Sequence, residues 1–166
     1  MNVTGDLRAS LQDITDRYVG FLVGQQIPKI TALRTIYPHS ILISDKVRLG
    51  YPRTFAFNCH AFTFGLSKME ECWAAREDLC PNGAFVLAHL LPMMEQHTEG
   101  NIAVYFDGDR VTHSGRINNG TVISKWGTAH TWQHGVWEVP TSYGSRVECY
   151  LAPAADWLKK TYLNGL

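Results

Sequence analysis

The chain predicts an α+β fold, with helices in its first half and an antiparallel sheet in its second. Leu7, Leu11, Ile14, Tyr18, Phe21 and Leu22 recur at helical spacing near the amino end. After Gly100 the pattern changes to short apolar runs separated by turn residues. Asn118-Asn119-Gly120 lies between two of those runs and is a strong hairpin signal. Helices followed by a meander of about five strands make an α+β domain.

The elements follow in order. A first amphipathic helix is predicted from about Leu7 to Val23, closed by Gly24, with Pro28 preventing an immediate restart. Pro28, Pro38, Gly50 and Pro52 punctuate the next stretch, within which Ile41-Leu42-Ile43 suits a short strand. Cys59 opens a helix of about two turns, to Leu66. Ser67 and Glu70 form a capping-box pattern for a helix to about Asp78, which Pro81-Asn82-Gly83 breaks. Ala84 to His97 is apolar and predicted helical, with Pro92 as a kink. Strands are predicted at 101–106, 111–117, 121–126, 135–139 and 147–151, with Asp107-Gly108-Asp109 as the first turn. Ala154 to Tyr162 is predicted to close the chain as a helix.

The length of 166 residues points to one domain with a real core. It divides into a helical extension (1–54), a core (55–151) and the closing helix (152–166). The 15 basic and 15 acidic side chains balance to a formal net charge of zero, so no basic surplus points to nucleic acid. No stretch approaches the ~18 apolar residues of a membrane span. Residues 1–16 lack an apolar signal-peptide core and carry Asp6, Asp13 and Asp16. The expected location is therefore cytoplasmic as synthesised, with export left to a route that needs no such signal. The oligomeric state is not legible. Cys59, Cys72, Cys80 and Cys149 are expected to be reduced, with Cys72 and Cys149 as small core hydrophobes.

The functional clue is the pair Cys59 and His113. A thiol at a helix start meets the positive end of the helix dipole, which favours thiolate. An imidazole beside it would favour the ion pair and later serve as general acid. Against this stands a plainer reading. Ala56, Phe57, Ala61, Phe62 and Phe64 make apolar surroundings that suit a buried structural thiol, and His113 suits a hydrogen-bonded strand histidine. His60 is better read as structural or part of the cleft rim, and His89 and His97 as ordinary packing or solvent-facing.

The order of these pieces resembles the NlpC/P60 superfamily of papain-like cysteine hydrolases. Gly100-Asn101 and the strand to Phe106 resemble that group's Gly-Asp strand. Thr112-His113-Ser114-Gly115 resembles its His element. Ile123-Ser124-Lys125-Trp126-Gly127 and Pro140-Thr141-Ser142-Tyr143-Gly144 resemble a bacterial branch of it, over roughly residues 58–144. Asn58-Cys59-His60-Ala61-Phe62 also resembles an element of the lecithin-retinol-acyltransferase-like branch, but there the His precedes the Cys, so the unpermuted arrangement is preferred.

The resemblance implies a papain-like fold, with Cys59 as nucleophile and His113 as base. A third polar group on the next strand would orient the ring. Ser124 falls near that place, Lys125 would point to the opposite face, and His134 is an alternative orienter. The oxyanion would be held by the Cys59 N–H and a group near Tyr51 to Asn58. Trp126, Trp132 and Trp137 are read as either core or a substrate groove, with Trp126 the candidate for substrate contact.

His130 and His134 are spaced i,i+4, as a metal pair can be, yet no Glu follows His130 as in H-E-x-x-H. The thiol mechanism is preferred, with no metal and no cofactor. The resulting expectation is a cysteine peptidase or amidase acting on a peptide or amide, with bacterial peptidoglycan peptides the leading class by analogy. The alternatives are a thiol deamidase or acyltransferase with a cytosolic substrate, and an inactive papain-like scaffold used for binding or immunity.

Overall fold

A computed structural model describes residues 3–18, 26–40, 59–64, 87, 90–126 and 131–154. Within them the chain is α+β. It has helices α1 (Val3–Tyr18), α2 (Gln26–Ile36) and the short α3 (Cys59–Thr63), followed by five strands. These are β1 (Ile102–Asp107), β2 (Arg110–Asn118), β3 (Thr121–Lys125), β4 (Thr131–His134) and β5 (Arg146–Tyr150). They form one antiparallel sheet in the order β4-β3-β2-β1-β5. No helix among the described residues is long and apolar enough to cross a membrane.

The first helix buries Leu7, Leu11 and Ile14, three positions of the predicted apolar stripe. It begins at Val3, earlier than expected, and residues 19–25 lie outside those described. α2 corrects the reading of Pro28 as a barrier. Pro28 sits in the first turn, where the missing N–H would have had no helical acceptor, so the helix tolerates it. Ile30 and Leu33 then face the core beside α1, with Trp126 and Trp132.

The predicted helix across Pro92 is also corrected. The chain makes a 3₁₀ turn at Leu91–Met93, Met94 is extended, and Gln96 bridges to Tyr150 of β5. From Leu91 onward this segment is therefore not α-helical. The predicted elements at 41–43 and 67–78 and the closing helix beyond Ala154 fall outside the described residues.

The hairpin signal forms as expected. Asn119 and Gly120 both have positive φ (49° and 75°), the two-residue turn whose twist suits paired strands. The fourth strand is displaced from its prediction. β4 is Thr131–His134, and 135–139 folds as a turn closed by Glu138 N–H to Gly135 O at 3.0 Å and Gly135 N–H to the Glu138 carboxylate at 2.7 Å.

The sheet has two differently dressed faces. One carries Ala103, Tyr105 and Val122, with Val139 of the 135–139 turn packed on them and α1 and α2 nearby through the two tryptophans. The other carries Ile102, Val104, Phe106, Val111 and Tyr150, with Leu87 against them. α3 packs on this second face across β2 and β3.

Candidate functional site

One irregularity in β2 decides how the site is laid out. Tyr105 pairs with His113, yet Phe106 pairs with Val111, so Thr112 is the extra residue of a β-bulge. The single Thr112 hydroxyl proton is shared between Tyr105 O, 3.1 Å away, and Tyr143 O, 2.7 Å away. The bulge breaks the alternation. Val111 joins the Phe106 side, and His113 turns to the Tyr105 side.

There the His113 ring is fully buried and stacks on Tyr143, with centroids 4.0 Å apart and planes 13° apart. Neither ring nitrogen has a hydrogen-bond partner. Burial first, and then the neighbouring rings of His134 and His60, hold its pKa well below the ordinary imidazole value. The ring is neutral at neutral pH.

Ser114, the next residue, faces α3. Its hydroxyl donates to Thr63 Oγ1 at 3.0 Å, and Thr63 Oγ1 donates to Cys59 O at 2.8 Å. Ser114 Oγ must therefore accept from His60 Nδ1, 2.8 Å away, which places the His60 proton on Nδ1. Burial lowers the His60 pKa to about 4. Arg116, also on this side, donates to Phe62 O at 2.7 Å and Thr63 O at 2.9 Å, closing the carboxyl end of α3.

Cys59 starts α3 and is buried. Backbone N–H groups of Ser114, His60 and Cys59 itself favour its thiolate, as does the charge of Lys125. Burial outweighs all four and pushes the thiol up to about 11. The expected resting ion pair is thus corrected to a resting S–H. A rise of about two units costs roughly 3 kcal/mol in forming thiolate, more than a short helix dipole returns.

Sulfur and ring belong to opposite sides of β2: α3, which Cys59 starts, packs on the face of Ser114, whereas the His113 ring lies on the Tyr105 face, so the expected pair is not brought together. The sulfur meets the N–H of the residue after His113, while the His113 nitrogens make no hydrogen bond to it or to any other group.

The two candidate orienters are bonded to each other. Ser124 Oγ and His134 Nε2 are 2.8 Å apart, and His134 Nδ1 lies 2.7 Å from Gly135 O. The carbonyl can only accept, so Nδ1 carries the proton and Ser124 donates to Nε2. Neither group hydrogen-bonds His113. Trp126 is core, 1% exposed, between Trp132 and His134. Trp132 is equally buried, whereas Trp137 is half-buried with the Arg8 guanidinium 5.4 Å above it. Asn58, His89 and His130 lie outside the described residues. Among the described residues no three His, Cys, Asp or Glu side chains are grouped to hold a metal.

Comparison with known proteins adds no relative. No family model, curated protein or solved structure matches the chain.

Sequence reasoning did not single out His60, Ser114, Lys125 or Tyr143 as parts of the site. The first two form the hydrogen-bonded support under the thiol. Tyr143 supports the imidazole. Lys125 is the cation felt at the sulfur, and it lies on the face opposite Ser124 as strand alternation requires.

Proposed function

We propose that the protein is a cysteine hydrolase that cleaves an amide bond, with Cys59 as nucleophile and His113 as base and acid. The observation that carries this reading is the setting of the sulfur. It lies at a helix start, where the backbone N–H groups of Cys59, His60 and Ser114 favour its thiolate, and Ser114 follows a neutral imidazole whose nitrogens have no hydrogen-bond partner. A group that develops negative charge gains from such donors, and a neutral ring with unused nitrogens is in the protonation state a base needs.

The resting S–H gives the order of events. For this step the His113 ring must turn from the Tyr105 face of β2 to the face that α3 covers, where it accepts the thiol proton as sulfur attacks the carbonyl carbon. This turn breaks no hydrogen bond of the ring, though it gives up the Tyr143 stack. The imidazolium then protonates the departing amine. Water, deprotonated by the same ring, hydrolyses the thioester and restores the thiol. The resemblance to NlpC/P60 hydrolases makes peptides, such as those of bacterial cell walls, the substrate class. Deamidation or acyl transfer would use the same steps with a different acceptor.

The rival is a papain-like scaffold without activity, used for binding. It is favoured by the buried, protonated thiol and by the absence of a Cys59–His113 hydrogen bond. Alkylation by iodoacetamide separates the two. The hydrolase reading expects Cys59 to react faster than Cys149 and to slow at least tenfold in His113→Ala. Equal, sluggish rates at both thiols, unchanged in His113→Ala, would sink it.

A further inference from the structure

We propose that residues 139–144 form a latched lid over the His113 imidazole, and that the ring becomes available for chemistry only when this lid opens. The cover stands on geometry, whereas its purpose rests on the hydrolase reading above. Two aromatic rings flank His113. Tyr105 is fully buried in β1, its ring centroid is 5.4 Å away, and its hydroxyl donates to Val136 O at 2.7 Å. It belongs to the sheet and forms a fixed wall. Tyr143 is different. It lies in the 3₁₀ turn Thr141–Tyr143, is half-buried, and stacks on His113 with centroids 4.0 Å apart. Thr141, Ser142 and Ser145 around it are exposed, so the turn faces solvent and can swing outward. Tyr143 is therefore the removable wall. Neither His113 nitrogen has a hydrogen-bond partner in the closed arrangement. Keeping both from water has a cost, and that cost favours opening unless something holds the lid shut.

The latch comes from α1. The Arg8 fork donates to Val139 O at 3.1 Å and Pro140 O at 3.2 Å, where the strap enters, and to Gly144 O at 2.5 Å, where it leaves. One guanidinium thus braces both ends, and losing it frees them together. Gln12, one helical turn further on, accepts the Ser142 N–H at 2.8 Å. From the sheet side, Thr112 reaches Tyr143 O at 2.7 Å, and Ser145 N–H donates to Phe106 O at 3.1 Å. These bonds are exposed or half-buried, and each contributes little net stability in water. The strap therefore opens locally while the sheet stays folded. Opening also releases Thr112, whose hydroxyl is shared with Tyr105 O at the bulge beside His113. The ring then loses its stacking partner and its neighbouring strand anchor in one event, as the turn toward α3 requires.

The test combines acylation of His113 by diethyl pyrocarbonate, read by peptide mass spectrometry against exposed His97, with amide hydrogen exchange. Arg8→Gln should speed His113 acylation about tenfold relative to His97, and Tyr143→Ala should speed it further. In Arg8→Gln the amides of Ser142, Gly144 and Ser145 should exchange faster while those of β1 and β2 keep their wild-type rates. A folded Arg8→Gln protein with His113 and the strap as protected as in wild type would overturn the inference. Acceleration spread evenly over strap and sheet would also overturn it, because that reports a weaker fold and not a lid. Should Arg8→Gln not fold, wild type in low denaturant decides. The strap amides should open with less denaturant than those of β1 and β2, and identical behaviour would overturn the lid. Iodoacetamide alkylation of Cys59 keeps the two proposals apart. Arg8→Gln should speed it, and adding His113→Ala should remove the gain. If Arg8→Gln uncovers His113 but His113→Ala never affects Cys59, the lid stands and the hydrolase reading falls. If His113→Ala slows Cys59 while Arg8→Gln uncovers nothing, the hydrolase reading stands and the lid falls.

Discussion

His60 and His134 are histidines that the fold holds neutral by burying them, each with its pKa lowered to about 4. In the unfolded chain each would titrate near ~6.5. Between those values the unfolded state binds protons that the folded state does not, so stability falls as pH drops from about 6.5 toward 4. Each histidine accounts for on the order of 3 kcal/mol across that window. Urea unfolding at neutral pH and near the lower limit should show the loss, and His134→Asn should reduce it. Stability that is flat across the window would contradict the burial of both rings. Ser114 is the second residue to probe. Ser114→Ala removes the acceptor of His60 and the donor to Thr63, both buried. The expected destabilisation is about 1–3 kcal/mol by chemical denaturation. Ser114→Thr keeps the hydroxyl, so its loss should be smaller.

Among the elements, the strands were the most legible in the sequence because their limits are set locally. Asn119 and Gly120 announce their own turn, and that turn fixes the β2–β3 register. The bulge at Thr112 left no such mark, so the face taken by His113 was not readable. α2 was hidden by Pro28, whose cost depends on whether it falls in the first turn or the interior. β4 was displaced because its pairing with β3 is decided between strands and not within the segment. The site was legible only as two segments that would approach one another. Which groups meet the sulfur depends on strand parity and burial. Gly144 is a further element-scale constraint. Its φ is +91°, and an added Cβ would run into Phe106 O and C and Asp107 N. Gly144→Ala should therefore cost several kcal/mol, combining positive φ with steric overlap, as a lowered melting temperature would show. Gly108 also has positive φ but open space around it, so Gly108→Ala should cost only about 1 kcal/mol.

For the whole molecule, α1 and α2 contribute to the core. Leu7, Leu11, Ile14, Ile30 and Leu33 pack with Trp126 and Trp132 into one cluster. Leu11 is fully buried, and Leu11→Ala should cost about 2–5 kcal/mol, read as a lower denaturation midpoint by tryptophan fluorescence. Unchanged stability would mean that α1 is dispensable. The same helix is tied down by Arg8, whose guanidinium donates to Val139 O at 3.1 Å, Pro140 O at 3.2 Å, Thr141 O at 3.5 Å and Gly144 O at 2.5 Å. These partners lie 131 to 136 positions further along the chain. A ribosome would therefore have released the first helix long before its anchoring carbonyls exist. The amino-terminal segment must wait, unclasped, until residues 139–144 have emerged, so this clasp closes only after β1 to β4 have been made.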